Sequence, residues 1–338
     1  IQYPNKFVLT NKLSFSKEIL IFFFTFVQSF QLIAKIINTK KSFEKEFLKK
    51  ISLDFLGRKT AFSIRTAYEI EHYVKKYNPK IIITTYEGYP WERLTFYLSK
   101  KVNKKILCLG YQHSTILRNE NGMRKKIKNN YDPDYILTTG KEARNILLQQ
   151  SDFSKSQIKI LGSNRKVYLK NSGNKYNILV LPQGTIKETL FMFDFSISVL
   201  KINSIVNFIW RLHPLINIAD IIRQRPHYNR LSKRITVSQN SLENDLKISK
   251  WAFYRGSAAI IQSVSAGVIP IYIMKANEIN HDPLFNIQNG KHAIMKADEI
   301  NKIIKESSVN KKLINYCNNF YQPLNNKILD NLLHLVRE

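Results

Sequence analysis

The sequence lacks the features that would place it in a class at once. Its 338 residues include two cysteines, Cys108 and Cys317, too few for a disulfide framework or a cysteine-rich metal site. We interpret both as small apolar residues of a chain in a reducing compartment, the cytoplasm. The chain opens at Ile1 without a methionine, which leaves open that it is a fragment of a larger multidomain protein, and we identify no signal peptide.

Acidic side chains are scarce, because 25 Asp and Glu residues stand against 53 Lys and Arg residues, for a formal net charge of +28. Such a charge attracts an anionic partner, whether nucleic acid, a lipid surface or a phosphorylated small molecule. The basic residues are spread along the chain, and no RNP pattern, zinc finger or basic helix with base-reading spacing occurs. We therefore expect no nucleic-acid partner, and a non-catalytic nucleic-acid- or anion-binding protein is the remote alternative.

Metal-binding motifs are missing as well. The histidines show no ligand spacing such as HExxH, and the phosphate-binding pattern GxxxxGK[ST] does not occur. Asp132 and Asp134 flank Pro133 ahead of a strand, so turn chemistry explains them better than a divalent cation does. We expect no structural or catalytic metal and no cofactor.

One apolar run calls for a comparison with membrane segments. Residues 19–34 carry no charge, but the run is only 16 residues long and polar residues interrupt its second half. A membrane-spanning helix needs about 20 residues. We predict a helix that is buried in the protein or lies in a membrane interface beside the lysines that follow it, and not a spanning helix. Peripheral contact with an anionic membrane surface, at the inner face of the cytoplasmic membrane, belongs to this expectation.

After a Lys-rich amphipathic segment, strand-length apolar runs alternate with helical patterns, which is typical of a parallel α/β sheet. A polar stretch at 166–175 separates two such series and is interpreted as a linker. The pattern predicts two Rossmann-like domains with parallel sheets facing a cleft: residues 1–170, with a helical segment at 12–76, and residues 175–325, followed by a C-terminal helix at 326–338. Ligands of such sheets bind beyond the carboxyl ends of the strands.

Two strand ends of the second series carry candidate phosphate-binding residues. His213, between Arg211 and Pro214, follows a strand, and its imidazole can give a hydrogen bond or a positive charge to a leaving phosphate. The alternative is a structural histidine in a turn. Gly184 and Thr185 end another strand, where they can contact a phosphate or form an ordinary turn.

A third strand end has a glycine and a hydroxyl before a helix. Gly256 allows close approach, Ser257 can cap, and the N–H groups of the first turn, up to and beyond Ala258, can hold an anion. The alternatives are an ordinary N-cap and a solvated Arg255.

Glu87 is the candidate general base of the first series. It ends a strand, is followed by Gly88, and therefore faces the cleft. A carboxylate at this place can take the proton of an attacking hydroxyl, a role worth about 10² to 10⁴ in rate. Glu92 competes but falls inside a predicted helix, and a capping or ion-paired Glu87 is the alternative.

Taken together, these residues resemble the GT-B fold of glycosyltransferases, over roughly residues 78–275. Residues 241–246, 251–258 and 266–270 resemble its donor-binding half. Residues 87–92, 110–113, 133–135 and 162–165 are similar to bacterial capsule and lipopolysaccharide biosynthesis proteins. The His-Pro pair at 213–214, the serine at a helix start and the acidic residue before glycine resemble bacterial sialyltransferases and Kdo transferases, which use CMP-activated sugars.

The resemblance implies an inverting, metal-independent glycosyltransferase that moves a sugar of Kdo or sialic-acid type from a CMP-sugar onto a growing surface glycan. A donor of the UDP-, GDP- or dTDP-hexose type is the alternative. The implied partners are the nucleotide-sugar donor and a glycan or lipid-linked glycan acceptor. The implied site residues are Glu87 and His213 for catalysis, Gly184, Thr185, Arg211, Pro214, Arg255, Gly256, Ser257 and Ala258 for the donor, and Trp91, Gln112, His113 and Arg165 for the acceptor.

Overall fold

The computed structural model describes residues 8–10, 12–127, 130–165, 176–305 and 309–335. These residues form two parallel β-sheets flanked by helices, and the predicted linker at 166–175 lies outside them. The first sheet has the strand order β1-β2-β3-β4. Its strands are β1 (Ile81–Thr85), β2 (Leu107–Gln112), β3 (Tyr135–Thr138) and β4 (Ile158–Ile160).

The second sheet, in the described part of the chain, has the order β10-β9-β8-β5-β6-β7, with every pair parallel. Its strands are β5 (Asn177–Leu181), β6 (Asn207–Trp210), β7 (Ile235–Val237), β8 (Trp251–Tyr254), β9 (Ile269–Ile273) and β10 (His292–Ile294). Counted from β5, the spatial order is 3-2-1-4-5-6, the doubly wound order of a Rossmann sheet. Its winding reverses between β5 and β8, so the ligand crevice is expected beyond these two strand ends.

Helices cover both sheets, and this explains the continuous apolar strand sequences. Every residue of β8 and β9 is buried, as expected for strands covered on both faces. The helices of this α/β part are α4 (Pro90–Val102), α5 (Lys141–Gln150), α6 (Ile186–Ile202), α7 (Ile218–Gln224), α8 (Leu242–Lys247), α9 (Ala259–Ser265), α10 (Ile300–Ile303), α11 (Lys311–Phe320) and α12 (Asn326–His334).

Three helices precede the first sheet: α1 (Phe15–Asn38), α2 (Ser42–Phe55) and α3 (Arg58–Tyr77). The structure corrects two expectations for the apolar run. The helix is 24 residues long rather than 16, so its length no longer argues against a membrane span, and 17% of its most apolar window is buried, so it is not a core helix. Length and composition alone would allow this one helix, among the described residues, to cross a membrane.

The C-terminal segment fastens the two halves together. The hydroxyl of Thr139, after β3, donates to the carbonyl of Phe320 at 3.1 Å, and the N–H of Ser163 donates to the carbonyl of Gln322 at 2.7 Å. Helix α12 then returns to the first sheet, where Leu332 packs against Leu109, Leu137 and Leu161. The carboxyl edge of the first sheet therefore lies against chain that arrives from the second half.

Candidate functional site

Three adjacent strand ends of the second sheet converge beside β5. The imidazole of His213, after β6, lies so close to Gly184, after β5, that a Cβ at Gly184 would be 3.0 Å from Nδ1. On the other side of β5, the amide of Gln183 covers Gly256, which follows β8; a Cβ at Gly256 would fall 1.3 Å from Nε2 of Gln183. A side chain at Gly256 would therefore displace the Gln183 amide, and one at Gly184 would push the His213 ring aside by a few tenths of an ångström.

The His213 ring has a defined tautomer. Its Nδ1 accepts a hydrogen bond from the N–H of Leu215 at 3.3 Å, so in the neutral ring the proton lies on Nε2. Partial burial lowers the pKa of His213, which favours the neutral ring near pH 7. Of the two roles that the sequence left open, hydrogen-bond donation fits this geometry and a positive charge does not.

Thr185 caps a long helix at the same place. Its hydroxyl accepts from the N–H of Glu188 at 3.3 Å, so Thr185 is the N-cap of the 17-residue helix α6. The positive end of this helix lies next to Gly184 and the His213 ring. An anion held here meets a helix N-terminus and an imidazole N–H together.

The structure corrects the expected role of Arg255. Its side chain is only 2% exposed, Nε lies 2.6 Å from the Glu188 carboxylate, and a second ion pair joins it to Glu278. Its Nη1 also donates to the carbonyl of Ile273 at 2.8 Å. Because two carboxylates already neutralise the guanidinium, Arg255 holds the loops around β8 and β9 together rather than binding a donor phosphate. A cavity of about 190 Å³ beside it is lined by Gln183, Thr185, Lys275 and His281 among others.

The residues after Arg255 differ from expectation as well. Ala258, not Ser257, is the N-cap of α9, and no side chain caps this seven-residue helix. Ser257 is partly exposed, and among the described residues its hydroxyl has no hydrogen-bond partner. The hydroxyl is therefore available to a ligand, but the capping role predicted for it is wrong.

Arg211 is also committed within the protein. Its Nη1 donates to the buried carboxylate of Asp245 at 2.8 Å and to the carbonyl of Asn240 at 2.7 Å. Asp245 in turn accepts the hydroxyl of Ser238 at 2.7 Å. Arg211 thus fixes the loop after β7 beside the strand end that carries His213, and Pro214, which follows His213, is exposed.

At the first sheet, Glu87 lies at the carboxyl edge with two partners. Its side chain is 15% exposed, and its Oε1 lies 3.5 Å from Nε2 of His113, which follows the neighbouring strand β2. A hydrogen bond to the Glu87 carboxylate, together with burial, raises the pKa of Tyr89 to about 12. Glu87 is therefore an accessible carboxylate with an imidazole and a phenol beside it.

Glu92, the competing carboxylate, has a structural role instead. It is buried, and its Oε2 accepts the backbone N–H groups of Glu87, Gly88 and Tyr89 at 2.9, 2.8 and 2.9 Å. This caps α4 and shapes the loop that carries Glu87. Burial raises the pKa of Glu92, although the three N–H groups oppose the shift. Proline at the first position of α4 and a glutamate two residues later form a helix-start signal that sequence reasoning passed over.

The loop that carries Glu87 also packs against the backbone around Gly122. Gly88 has a φ of +81°, and a Cβ there would lie 2.1 Å from the carbonyl oxygen of Gly122. Glu120, just before Gly122, accepts the N–H of Leu117 at 3.2 Å, and burial raises its pKa. Sequence reasoning missed Glu120, because nothing in the local pattern shows that its loop packs against the loop that carries Glu87.

Of the other residues predicted to bind the acceptor, one lines a cavity and two are engaged with protein groups. Trp91 is partly exposed and lines a large cavity toward the N-terminal helices. Gln112 is fully buried and accepts the N–H and hydroxyl of Thr139, both at 3.2 Å, so the predicted acceptor contact of Gln112 is wrong. Arg165 donates to the hydroxyl of Tyr321 at 2.7 Å and stacks on its ring. Arg165 thus contacts the C-terminal segment that joins the two halves.

Helix α11 links the two carboxyl edges. Tyr316 on α11 is buried, and its pKa is raised by burial and, more weakly, by the nearby charges of Glu142 and Asp282. Glu142 lies in the first turn of α5, the helix that follows β3 of the first sheet, whereas Asp282 lies beyond β9 of the second sheet and accepts the hydroxyl of Tyr254 at 2.9 Å. Residues that follow strands of both sheets therefore lie near the same helix.

The two acidic residues around Pro133 form ion pairs. Asp132 pairs with Arg93, and Asp134 pairs with Lys100 at 2.7 Å while accepting the N–H of Cys108 at 2.8 Å. In the described part of the chain, no group of three or more His, Cys, Asp or Glu side chains is arranged to hold a metal ion.

By sequence alone, the chain matches no family model and no curated protein. Its architecture is similar to solved structures: the glycotransferase of kitacinnamycin (TM-score 0.55, 10% identity, covering 85% of this chain and 83% of that one), the UDP-GlcNAc 2-epimerase of Methanocaldococcus jannaschii (0.53, 14%, 82% and 82%) and MurG of Acinetobacter baumannii (0.51, 12%, 80% and 79%). The chain has the GT-B fold. The predicted fold class is confirmed, and at these identities the similarity extends to the fold alone.

Within this GT-B fold, the candidate base and the candidate phosphate-binding residues lie at the carboxyl edges of the two sheets. Glu87 and His113 belong to the edge of the first sheet, and Gly184, His213 and Ser257 to the edge of the second. The helical segment α1 to α3 lies outside the two sheets and adds a surface of its own.

Proposed function

We propose that this chain is an inverting glycosyltransferase that moves a sugar from a nucleotide-sugar donor to a hydroxyl of a glycan or lipid-linked glycan. One observation carries the proposal: an accessible carboxylate ends a strand of one sheet, and an imidazole N–H beside a helix N-terminus ends a strand of the other. Transfer with inversion needs these two groups on opposite sides of the anomeric carbon, one to remove a proton and one to stabilise the leaving phosphate.

In the proposed reaction, the acceptor hydroxyl gives its proton to Glu87 as its oxygen attacks the anomeric carbon. The bond from that carbon to the phosphate oxygen breaks, and its electron pair leaves with the nucleotide. The Nε2–H of His213 and the first N–H groups of α6 stabilise the growing negative charge. Closure of the cleft would exclude water and limit hydrolysis of the donor.

For the donor we propose a UDP-sugar. The GT-B epimerase of M. jannaschii, similar in fold, is seen in complex with UDP-GlcNAc and UDP. The CMP-sugar donor suggested by the His-Pro pair has no comparable support, since none of the similar structures named above is described with a CMP-sugar. A surface polysaccharide as the product stays part of the proposal.

We also propose that the protein works at the cytoplasmic face of a membrane. Helices α1 and α2 expose many large apolar side chains, among them Phe22, Phe23, Phe30 and Phe43. Lysines such as Lys35 lie on the same helical segment, and this pairing of apolar and basic residues suits an anionic lipid surface.

Calorimetric titration with UDP, CMP, GDP and dTDP tests the donor, and the proposal expects the tightest binding for UDP. Tightest binding to CMP would restore the CMP-sugar reading. Incubation with radiolabelled UDP-GlcNAc, with and without a glycan acceptor, tests the reaction class. The proposal expects release of UDP that depends on the acceptor, whereas conversion of the donor sugar to its epimer without an acceptor would contradict it.

A further inference from the structure

A cavity of about 850 Å³ lies between the N-terminal helices and the start of α4. Its walls are mostly apolar: Phe24 of α1, Phe55 of α2, Phe62 of α3 and Trp91 of α4 are among them. The volume is in the range of ordinary small-molecule sites, about 300 to 1,000 Å³. No strand of either sheet contributes a lining residue, so this cavity is separate from the nucleotide crevice.

The cavity walls remain exposed although they are apolar. Phe24 and Phe62 are 53% and 50% exposed, and their rings line one continuous space. Contiguous apolar surface of this kind marks a binding site rather than an ordinary protein surface. The occupant must therefore be largely hydrocarbon.

Basic residues on the rim add a second requirement. Arg58 and Lys59 begin α3 and line the same cavity, together with the single acidic residue Asp54. Both basic side chains are exposed, and neither forms an ion pair with a carboxylate in the described part of the chain. An occupant with an anionic group next to its hydrocarbon chain satisfies both the walls and the rim.

The start of α4 brings the cavity close to the candidate base. Tyr89, Pro90 and Trp91 form part of its wall at the start of α4, and Tyr89 is only two residues from Glu87, whose carboxylate raises the pKa of the Tyr89 phenol. Glu92 fixes this turn through its three backbone hydrogen bonds. The head of a lipid that leaves the cavity at the start of α4 would therefore be close to Glu87.

We propose that this cavity binds the hydrocarbon chain of a phosphate-linked lipid acceptor, with its phosphate at Arg58 and Lys59 and its acceptor hydroxyl directed toward Glu87. The proposal rests on the proposed glycosyltransferase function and names the class of its acceptor. A bilayer lying flat against α1 and α2 is the competing occupant, and the test below separates the two.

The probe is farnesyl phosphate, titrated calorimetrically into the full chain without detergent or vesicles. We expect one bound molecule per chain. Phe62→Asp should weaken binding by about tenfold or more, since it removes a phenyl ring from the contact and puts a charge there. Phe43→Asp is the matched control, because Phe43 is 81% exposed on α2 but does not line the cavity, and it should change binding less than about twofold.

Three outcomes would overturn the proposal: no saturable binding, equal losses in the two phenylalanine variants, or full competition by inorganic phosphate at the same concentration. The double variant Arg58→Ala, Lys59→Ala should bind farnesyl phosphate more weakly than the wild type, and it should bind farnesol as tightly as the wild type does. An equal loss of affinity for both probes would show that Arg58 and Lys59 do not bind the phosphate.

Glu87→Gln separates this inference from the proposed function. It should bind farnesyl phosphate like the wild type. With a methyl glycoside and a farnesyl-phosphate-linked glycoside as acceptors, Phe62→Asp should lower kcat/KM for the second only. If Phe62→Asp leaves kcat/KM unchanged for both acceptors, the lipid-binding proposal is overturned and the proposed function is not. If the wild type transfers no sugar, the proposed function is overturned, and the binding data alone then test the lipid-binding proposal.

Discussion

Oε1 of Glu87 and Nε2 of His113 are 3.5 Å apart, at the carboxyl ends of the two neighbouring strands β1 and β2. The contact orients one oxygen of the candidate base, and the same carboxylate raises the pKa of the nearby Tyr89 phenol. A base oriented in this way can receive a proton along a fixed line from an acceptor hydroxyl in the cleft.

The first prediction concerns Glu87 as general base. Glu87→Gln keeps the shape of the side chain and one acceptor oxygen but cannot take the proton, so transfer should fall at least about 10²-fold. Nucleotide binding by calorimetry should not change. Glu243→Gln, on the exposed surface of α8 where Glu243 forms an ion pair with Lys247, is the matched control. Single-turnover transfer within about threefold of wild type would exclude Glu87 from this role.

A second prediction separates hydrogen-bond donation by His213 from positive charge. Gln at 213 can place an N–H near the position of Nε2, whereas Asn can replace only Nδ1. His213→Asn should therefore lose about 10²- to 10³-fold in rate, the usual cost of one oxyanion donor, and His213→Gln should retain more activity than His213→Asn.

The pH profile supplies an independent check on the same residue. Burial lowers the pKa of His213 in the folded protein, so the ring is already neutral above its ordinary pKa of about 6.5. Wild-type transfer should then show no loss from His213 as the pH rises from about 6.5 to 8. A fall in rate across that window, abolished in His213→Gln, would show that the protonated ring is the active form.

Gly184 gives a third prediction, because it sets the distance between β5 and the His213 ring. Ala at 184 would bring a Cβ to 3.0 Å from Nδ1 and 3.1 Å from Cε1, so the ring must move. We expect kcat for transfer to fall about tenfold, since small displacements of a donor are costly, with a melting temperature close to that of the wild type. Unchanged kcat would mean that the ring position does not matter.

The parallel sheets could be predicted from the sequence, but the residues that contact most of the polar site residues could not. Continuous apolar strands such as β8 and β9 can be recognised because both faces are buried. Whether a charged side chain meets ligand or protein depends on residues distant in sequence. Arg255 meets Glu278, and Gln112 meets Thr139; neither partner is marked by the pattern around it. The length of α1 was missed for a different reason, since charged residues near its ends hid about two helical turns.

The fourth prediction tests the reassignment of Arg255. Arg255→Met would leave Glu188 and Glu278 as partly buried carboxylates without their shared cation. Breaking a buried ion pair from one side costs about 3 to 5 kcal/mol, so the melting temperature should fall steeply. The dissociation constant for UDP, measured below that temperature, should stay within about threefold of wild type. A selective loss of UDP affinity with normal stability would return Arg255 to the donor site.

The last prediction makes Glu92 a positioning residue. Glu92→Ala leaves the N–H groups of Glu87, Gly88 and Tyr89 without their common acceptor, and unsatisfied groups of this kind cost about 1 to 3 kcal/mol each when buried. Because the loop they form carries Glu87, kcat should fall while the UDP dissociation constant stays constant. Glu299→Ala is the control, since Glu299 accepts two comparable backbone N–H groups, of Met295 and Lys296, beyond β10 and far along the chain from Glu87. It should lower the melting temperature without changing kcat, and an equal loss of kcat in both variants would reduce the Glu92 effect to one of stability.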